Sequence, residues 1–163
     1  MECLRGEFRR LQRPTEGVRV QVWVRIILLS AGGVLGVNAR YWLSVTIDRW
    51  ADPRFPWATF TINVTGSFAI GLVTALLLRW LPHPYARLFW VVGFLGGYTT
   101  FSSYSLEALT LWERGAVGRM LVYLIGSVAV GVLAVALGAA VGRALAPPLA
   151  VEASRTDEGS LIR

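Results

Sequence analysis

Four long apolar blocks dominate the pattern of hydrophobic and polar positions along the chain. They cover about residues 24–47, 57–78, 88–106 and 120–142, and short connectors rich in Pro, Arg, Asp and Trp separate them. An α-helix rises about 1.5 Å per residue, so roughly twenty residues cross a hydrocarbon layer of about 30 Å. Each block is long enough for this. The pattern therefore predicts an all-α integral membrane protein with four transmembrane helices.

Composition and charge favour the same class. Of the 163 residues, 55% are hydrophobic and only 16% are charged, which is too little polar sequence to cover a soluble protein of this size. The net charge is +6, and all 16 basic residues are arginines, most of them in the tails, in the connectors and at block ends. Anchoring beside lipid headgroups explains such positions, so membrane lipid is an expected partner and nucleic acid is not.

The chain divides into three parts by composition. Residues 1–22 form a basic N-terminal extension, residues 23–145 the four-helix transmembrane domain, and residues 146–163 a tail that is expected to be disordered. Close to the membrane, arginines are nearly balanced between the two faces that the four predicted spans define. Such a weak bias allows the chain to insert in both orientations, which would permit an antiparallel homodimer from one gene.

Polar residues recur every three or four positions in the second and fourth spans, so they share one face of each helix. Small and hydroxyl residues there also let membrane helices pack closely, and this simpler explanation suits most of them. Asn63 differs, because an amide is costly to bury without partners. It lies either in a packing contact or on a water-filled or ion-filled path. In the fourth span, Tyr123 and Ser127 are the candidates for such a path.

The third span is the most unusual. Gly96 and Gly97 fall at its centre and two β-branched threonines follow, which predicts a helix broken near the bilayer midplane. A break frees backbone carbonyls that must find partners in lipid. Two readings stay open at this point: the carbonyls coordinate a hard cation such as sodium, or the glycines simply allow two helices to cross.

After the predicted break come two aromatic rings, at Phe101 and Tyr104, with Ser102 and Ser103 between them. Ring edges carry partial positive charge and hydroxyl groups donate hydrogen bonds. These groups can replace part of the water shell of a small anion without trapping it. Arg40, inside the first span, either draws anions toward this site or pairs with lipid phosphate.

Three segments resemble motifs of the CrcB/Fluc fluoride channel family. They are residues 32–41 (GGVLGVNARY), 59–68 (TFTINVTGSF) and 93–107 (GFLGGYTTFSSYSLE), which occur in the family's order and spacing within a core of about residues 26–142. The resemblance implies an antiparallel, dual-topology homodimer with two fluoride pathways. It also implies a structural sodium ion at the dimer interface, held by backbone carbonyls that correspond here to Gly96 and Thr99.

The resemblance also assigns side chains to the fluoride pathway. Asn63 matches the pore asparagine, and Arg40 matches an arginine of the vestibule. One ring position departs from the family pattern, because Tyr104 stands where a second phenylalanine is usual. The residues implied for the pathway are Asn63, Phe101, Tyr104, Ser102, Ser103, Tyr123, Ser127 and Arg40.

The expected function is passive export of fluoride across the bacterial inner membrane. A small four-helix multidrug exporter is one rival, but its proton coupling would need an embedded carboxylate, typically in the first span, which has none. Glu107 lies late in the third span and its role stays open. A membrane scaffold is the other rival, and it does not explain Asn63 beside a broken helix. An enzyme is not expected, because no cluster of His, Cys and carboxylate groups is present.

Overall fold

The computed structural model describes residues 14–145, with side chains from residue 20, and this part of the chain consists of helices and short connectors without strands. The predictions for residues 1–13 and 146–163 lie outside the described residues. Helix α1 is Pro14–Asp48, α2 is Trp57–Trp80, α4 is Phe101–Glu113 and α5 is Val117–Leu145. Helix α3 consists of three consecutive segments, Pro84–Arg87, the π-helical Leu88–Leu95, and Gly96–Tyr98.

Three helical stretches are long and apolar enough to cross a membrane: Val20–Asp48, Trp57–Trp80 and Val117–Leu145. They correspond to the first, second and fourth predicted spans. The third predicted span is divided between α3 and α4. Helix α1 begins at Pro14, within the segment predicted as an extension at 1–22, and continues directly into its apolar stretch.

Local sequence signals account for where the helices begin and end. Pro84 occupies the first turn of α3, and the His83 ring accepts a hydrogen bond from the Tyr85 amide at 3.2 Å. The Thr100 hydroxyl caps α4 by accepting from the Ser103 amide at 3.2 Å. Between α4 and α5 the chain turns at Gly115, whose φ of 71° suits glycine.

The break in the third span falls at Thr99 and Thr100 and not at the glycines. Thr99 has φ −79° and ψ 157°, and Thr100 has φ −147° and ψ 116°, so both residues are extended. Gly96 is still helical, with φ −65° and ψ −35°. Two adjacent β-branched residues favour extended backbone, which explains this position. The expectation of a broken helix therefore holds, with the interruption two residues beyond Gly97.

The glycines of α1 and α3 allow backbone contact between these two helices. A Cβ atom on Gly97 would lie 2.9 Å from the Gly33 carbonyl oxygen, and one on Gly93 would lie 3.1 Å from the Gly32 Cα atom. On the α1 side, a Cβ atom on Gly36 would collide with the Phe94 carbonyl oxygen. Small residues let membrane helices approach this closely, and here they join α1 and α3 into one unit.

Helices α2 and α5 form the other close pair, and glycines again make the contact. A Cβ atom on Gly138 would collide with the Phe68 carbonyl oxygen, and one on Gly71 would collide with the Val135 carbonyl oxygen. This matches the expectation that packing explains the glycines of the second and fourth spans. Helix α4 packs on α5 through a small buried cluster of Tyr104, Ala108, Leu111 and Tyr123.

Most large apolar side chains of the described residues face outward. Examples are Trp42, Val122 and Leu133, which are 62%, 65% and 68% exposed. An apolar surface of this extent would be unfavourable in water, whereas lipid chains solvate it. The exposed surface therefore agrees with a protein that crosses the membrane several times.

We expect Gly138→Ala to destabilise the α2–α5 pair by about 1–3 kcal/mol, because the added methyl group overlaps backbone and cannot be moved aside. Gly126→Ala is the matched control, since a Cβ atom on Gly126 meets nothing within 4 Å. Thermal unfolding of detergent-solubilised protein, followed by size-exclusion chromatography, measures the difference. Equal melting temperatures for the two variants would contradict the packing described.

Candidate ion site at the helix break

Asn63 bonds both polar groups of the Thr100 backbone. Its side-chain Nδ2 donates to the Thr100 carbonyl oxygen at 3.0 Å, and its Oδ1 accepts from the Thr100 amide at 2.9 Å. In an unbroken helix this amide would bond the Gly96 carbonyl. The side chain from α2 thus replaces a helical hydrogen bond that the break removes. An amide carries a donor and an acceptor side by side, which is the pair that a peptide unit requires.

The Thr100 side chain organises the start of α4. Its hydroxyl lies 3.0 Å from the Ser103 hydroxyl and 3.3 Å from the Ser102 hydroxyl, in addition to accepting from the Ser103 amide. Ser102 and Ser103, both predicted pathway residues, are therefore engaged with Thr100. These bonds fix the direction in which α4 leaves the break.

Arg40 reaches the break from the other side. Its Nη1 atom donates to the Thr99 carbonyl oxygen at 3.4 Å, across 59 positions of sequence. This places the guanidinium beside the interrupted helix. Gly96, whose carbonyl no longer receives the Thr100 amide, is exposed on the surface of the protomer. Of the two carbonyls predicted to coordinate sodium, that of Thr99 lies at the break and accepts from Arg40, whereas that of Gly96 lies in the last turn of α3.

A cavity of about 300 Å³ lies beside the break, between α2, α4 and α5. Four of the predicted pathway residues line it: Asn63, Phe101, Tyr104 and Ser127. The Ser127 hydroxyl is buried and has no hydrogen-bond partner among residues 20–145. It therefore offers a free donor to whatever occupies this space. The other cavity-lining residues include Thr99 and Thr100, and within the described part of the chain the Tyr104 phenol is the one ionisable group of the lining.

The two predicted ring residues differ strongly in burial. Phe101 is 79% exposed, whereas Tyr104 is 8% exposed, and their ring centroids lie 5.6 Å apart. The Tyr104 hydroxyl donates to the Leu124 carbonyl oxygen of α5 at 2.9 Å. The extra oxygen of this tyrosine is therefore satisfied within the helix pair. The ring is left to line the cavity, as a phenylalanine would.

Glu107 joins three helices, a role that sequence reasoning missed. One carboxylate oxygen accepts from the Thr59 hydroxyl at 2.7 Å, and the other accepts from the Tyr123 hydroxyl at 2.7 Å. Tyr123, a predicted pathway residue, is fully buried, and its hydroxyl is engaged in donating to this carboxylate. A signal was available, because a carboxylate in an apolar span is costly unless hydroxyl donors face it.

The structure thus gathers some predicted site residues and separates others. Arg40 contacts the break but does not line the cavity, and the same is true of Ser102 and Ser103. Tyr123 does not line the cavity, but its ring packs on that of Tyr104, with centroids 5.0 Å apart. The cavity, together with Tyr123 and its hydrogen-bond partner Glu107, forms one polar column between α2, α4 and α5.

The sequence resembles known families over the region that contains this column. Residues 27–139 match the family model described as CrcB-like protein, Camphor Resistance (CrcB). Every residue predicted for the site lies inside the matched region.

Several curated relatives cover most of the chain and almost all of their own length. The Fluoride-specific ion channel FluC of Nitrobacter winogradskyi is 44% identical over 124 residues, which are 76% of this chain and 98% of the relative. The protein of the same name from Agrobacterium fabrum is 46% identical over 123 residues, covering 75% and 98%. That from Rhizobium meliloti is 43% identical over 121 residues, covering 74% and 97%.

We expect Asn63→Ala to destabilise the protein by about 1–3 kcal/mol for each backbone group of Thr100 that loses its partner. Asn38→Ala is a matched control, because Asn38 is exposed and its amide donates only to the Val34 carbonyl of its own helix. Unfolding in increasing sodium dodecyl sulfate measures the stability, and hydrogen exchange of the segment around Thr100 reports the local effect. An unchanged exchange rate in Asn63→Ala would contradict the backbone role of Asn63.

Replacing Glu107 by leucine leaves the hydroxyls of Thr59 and Tyr123 without an acceptor. We expect the free energy of unfolding to fall by about 1–3 kcal/mol for each of them. Glu107→Gln should retain most of the stability, because an amide can accept from one hydroxyl and donate to the other. Glu113→Leu, at the exposed end of α4, controls for the loss of a carboxylate. The same unfolding assay ranks the variants. A Glu107→Gln protein as unstable as Glu107→Leu would argue against the hydroxyl contacts.

Proposed function

Because this chain belongs to the CrcB-like family, we propose that it is a fluoride-selective channel through which fluoride leaves the bacterial cell passively. The single observation that carries this proposal is the cavity at the helix break, lined by Asn63, Phe101, Tyr104 and Ser127. The relatives named above bear the name Fluoride-specific ion channel FluC. They support the choice of fluoride as the ion.

The chemistry of the cavity suits a small anion that must pass through. Ser127 has a free hydroxyl among the described residues, and the Asn63 amide has a second N–H besides the one that bonds Thr100. Ring edges of Phe101 and Tyr104 add weak positive potential. No arginine of residues 20–145 lines this space, so an anion is attracted without being held by a full charge. Conduction needs this balance between binding and release.

The proposal includes an antiparallel homodimer with dual topology. Gly96 is exposed in the last turn of α3, and its carbonyl, which the Thr100 amide does not reach, must find a partner in lipid. A second copy of the chain supplies one, and it also covers part of the exposed apolar surface. The nearly even arginine balance supports insertion in both orientations.

A structural sodium ion at the dimer interface belongs to the same proposal. The carbonyl oxygens of Gly96 and Thr99 would hold it, since oxygen donors without thiol or imidazole groups suit a hard cation. The fit is supported by the break itself, which releases the Gly96 carbonyl from the Thr100 amide. The Thr99 carbonyl also accepts from the Arg40 guanidinium at 3.4 Å, so a sodium ion would share this oxygen with a cationic side chain. The bound cation would supply positive charge that holds two protomers together at their breaks.

The exporter alternative finds no support at Glu107. A carboxylate that couples proton exchange must release and take up its proton during transport, with access to both substrate and water. Both oxygens of Glu107 are instead engaged by the hydroxyls of Thr59 and Tyr123 at 2.7 Å. These contacts make Glu107 a residue that joins helices.

The test is fluoride efflux from liposomes that contain the purified protein, followed with a fluoride electrode. We expect rapid, passive fluoride loss that chloride-loaded liposomes do not share. Asn63→Asp should lower the rate by on the order of tenfold or more, because the carboxylate cannot donate to the Thr100 carbonyl and its charge opposes an anion. Asn38→Asp is the matched control for an added carboxylate, and it should conduct. Folded wild-type protein that passes no fluoride, or passes chloride equally well, would refute the proposal.

A further inference from the structure

A second cavity, of about 520 Å³, lies at the end of the polar column where α5 begins. It is lined by Asp52, Arg54, Phe55, Trp57, Arg119 and Val122. Two guanidinium groups and one carboxylate thus meet at this cavity, which gives it a net positive charge. It is lined mainly by the connector between α1 and α2 and by the first turns of α5.

The groups at this cavity are held in position by the backbone of the connector. Arg119 donates from Nη1 to the Arg54 carbonyl oxygen at 3.1 Å, across 65 positions of sequence. The Asp52 carboxylate accepts from the Arg54 amide at 2.9 Å. Asp52 therefore serves the turn of the connector. Among residues 20–145, no carboxylate forms an ion pair with Arg119, and its guanidinium has further N–H donors.

Packed side chains separate the second cavity from the cavity at the helix break, and they contact one another from one cavity to the other. Arg119, Tyr123 and Ser127 follow one another at intervals of four on α5, so they lie along one face of that helix. The Phe55 ring, which lines the second cavity, meets the Tyr123 ring edge-on with centroids 5.5 Å apart. Tyr123 in turn contacts Tyr104, which lines the cavity at the break.

We propose that the second cavity is an anion-recruiting site, which concentrates small inorganic anions beside Arg119 at the end of the polar column where α5 begins. Its ligand class is the hydrated monovalent anion, of which fluoride is the one that passes onward. Arg119 supplies the charge, and the Arg54 carbonyl fixes its direction. This inference rests on the proposed function, and it adds a second positive site to Arg40, which lies at the break and does not reach this cavity.

Because recruitment acts through the field of one charge, it depends on ionic strength. We expect Arg119→Gln to reduce the initial rate of fluoride efflux at sub-saturating fluoride and low ionic strength by on the order of tenfold. The deficit should shrink in high gluconate, because the Debye length falls from about 30 Å at 0.01 M to about 3 Å at 1 M. The efflux rate at saturating fluoride should stay unchanged.

Two variants keep this test specific. Arg119→Lys retains the charge and should retain most of the rate. Arg114→Gln removes an exposed arginine of the adjacent turn that does not line the cavity, and it should leave the salt dependence of efflux as in the wild type. If Arg119 acts only as a support for the connector, Arg119→Gln would lower the rate equally at every fluoride concentration and ionic strength. That result would overturn the proposal.

Liposomes with and without anionic phosphatidylglycerol separate a free anion from a lipid headgroup as the ligand. A recruiting site predicts the same dependence on fluoride concentration and ionic strength in both lipids. If the Arg119→Gln deficit follows the lipid composition and not the fluoride concentration, Arg119 binds headgroup phosphate and the inference is wrong. If the wild type itself passes no fluoride, the proposed function fails first, which is a different result.

Discussion

The fold depends on the paired hydrogen bonds between the Asn63 side chain and the Thr100 backbone. A helix cannot be interrupted in lipid unless the backbone groups released there find other partners, because no water is present to accept them. The side-chain amide of Asn63, from the neighbouring helix α2, satisfies both the N–H and the carbonyl of Thr100. Once the interruption is stable, α4 can leave in a new direction, and the cavity beside it can exist.

Most polar groups around the break serve the structure before they serve an ion. The hydroxyls of Thr59 and Tyr123 donate to Glu107, that of Tyr104 donates to the Leu124 carbonyl, and that of Thr100 donates to Ser103. What remains for an ion is a small set of neutral donors and ring edges. A hydrophobic bundle can thus contain a polar column in which most side-chain hydroxyls already have a partner within the protein.

Sequence reasoning reached the helical class, the broken third span and the identity of the cavity residues Asn63, Phe101, Tyr104 and Ser127. These followed from block length, from the cost of polar groups in lipid and from three recognisable motifs. Sequence reasoning placed the break at the glycines, two residues too early. The free-energy cost of a glycine in a helix is smaller than the gain from the close contact between α1 and α3 at Gly97. For Glu107, the cost of a carboxylate in an apolar span signalled a need for donors, but which donors it meets depends on how three separate helices are placed.

The backbone contact between α1 and α3 has a mechanical consequence. Where two helices touch through glycines, no side chain lies between them that could change rotamer to accommodate sliding or rotation. At Gly36 and Gly97 the two backbones are in direct contact, so α1 and α3 move together as one rigid unit. Helices α2 and α5 also meet through glycines, so the element left free to move beside the cavity is α4, which packs on α5 through side chains. The cavity at the break therefore has fixed walls at α2 and α5 and one adjustable wall at α4, whose displacement changes the width of the cavity.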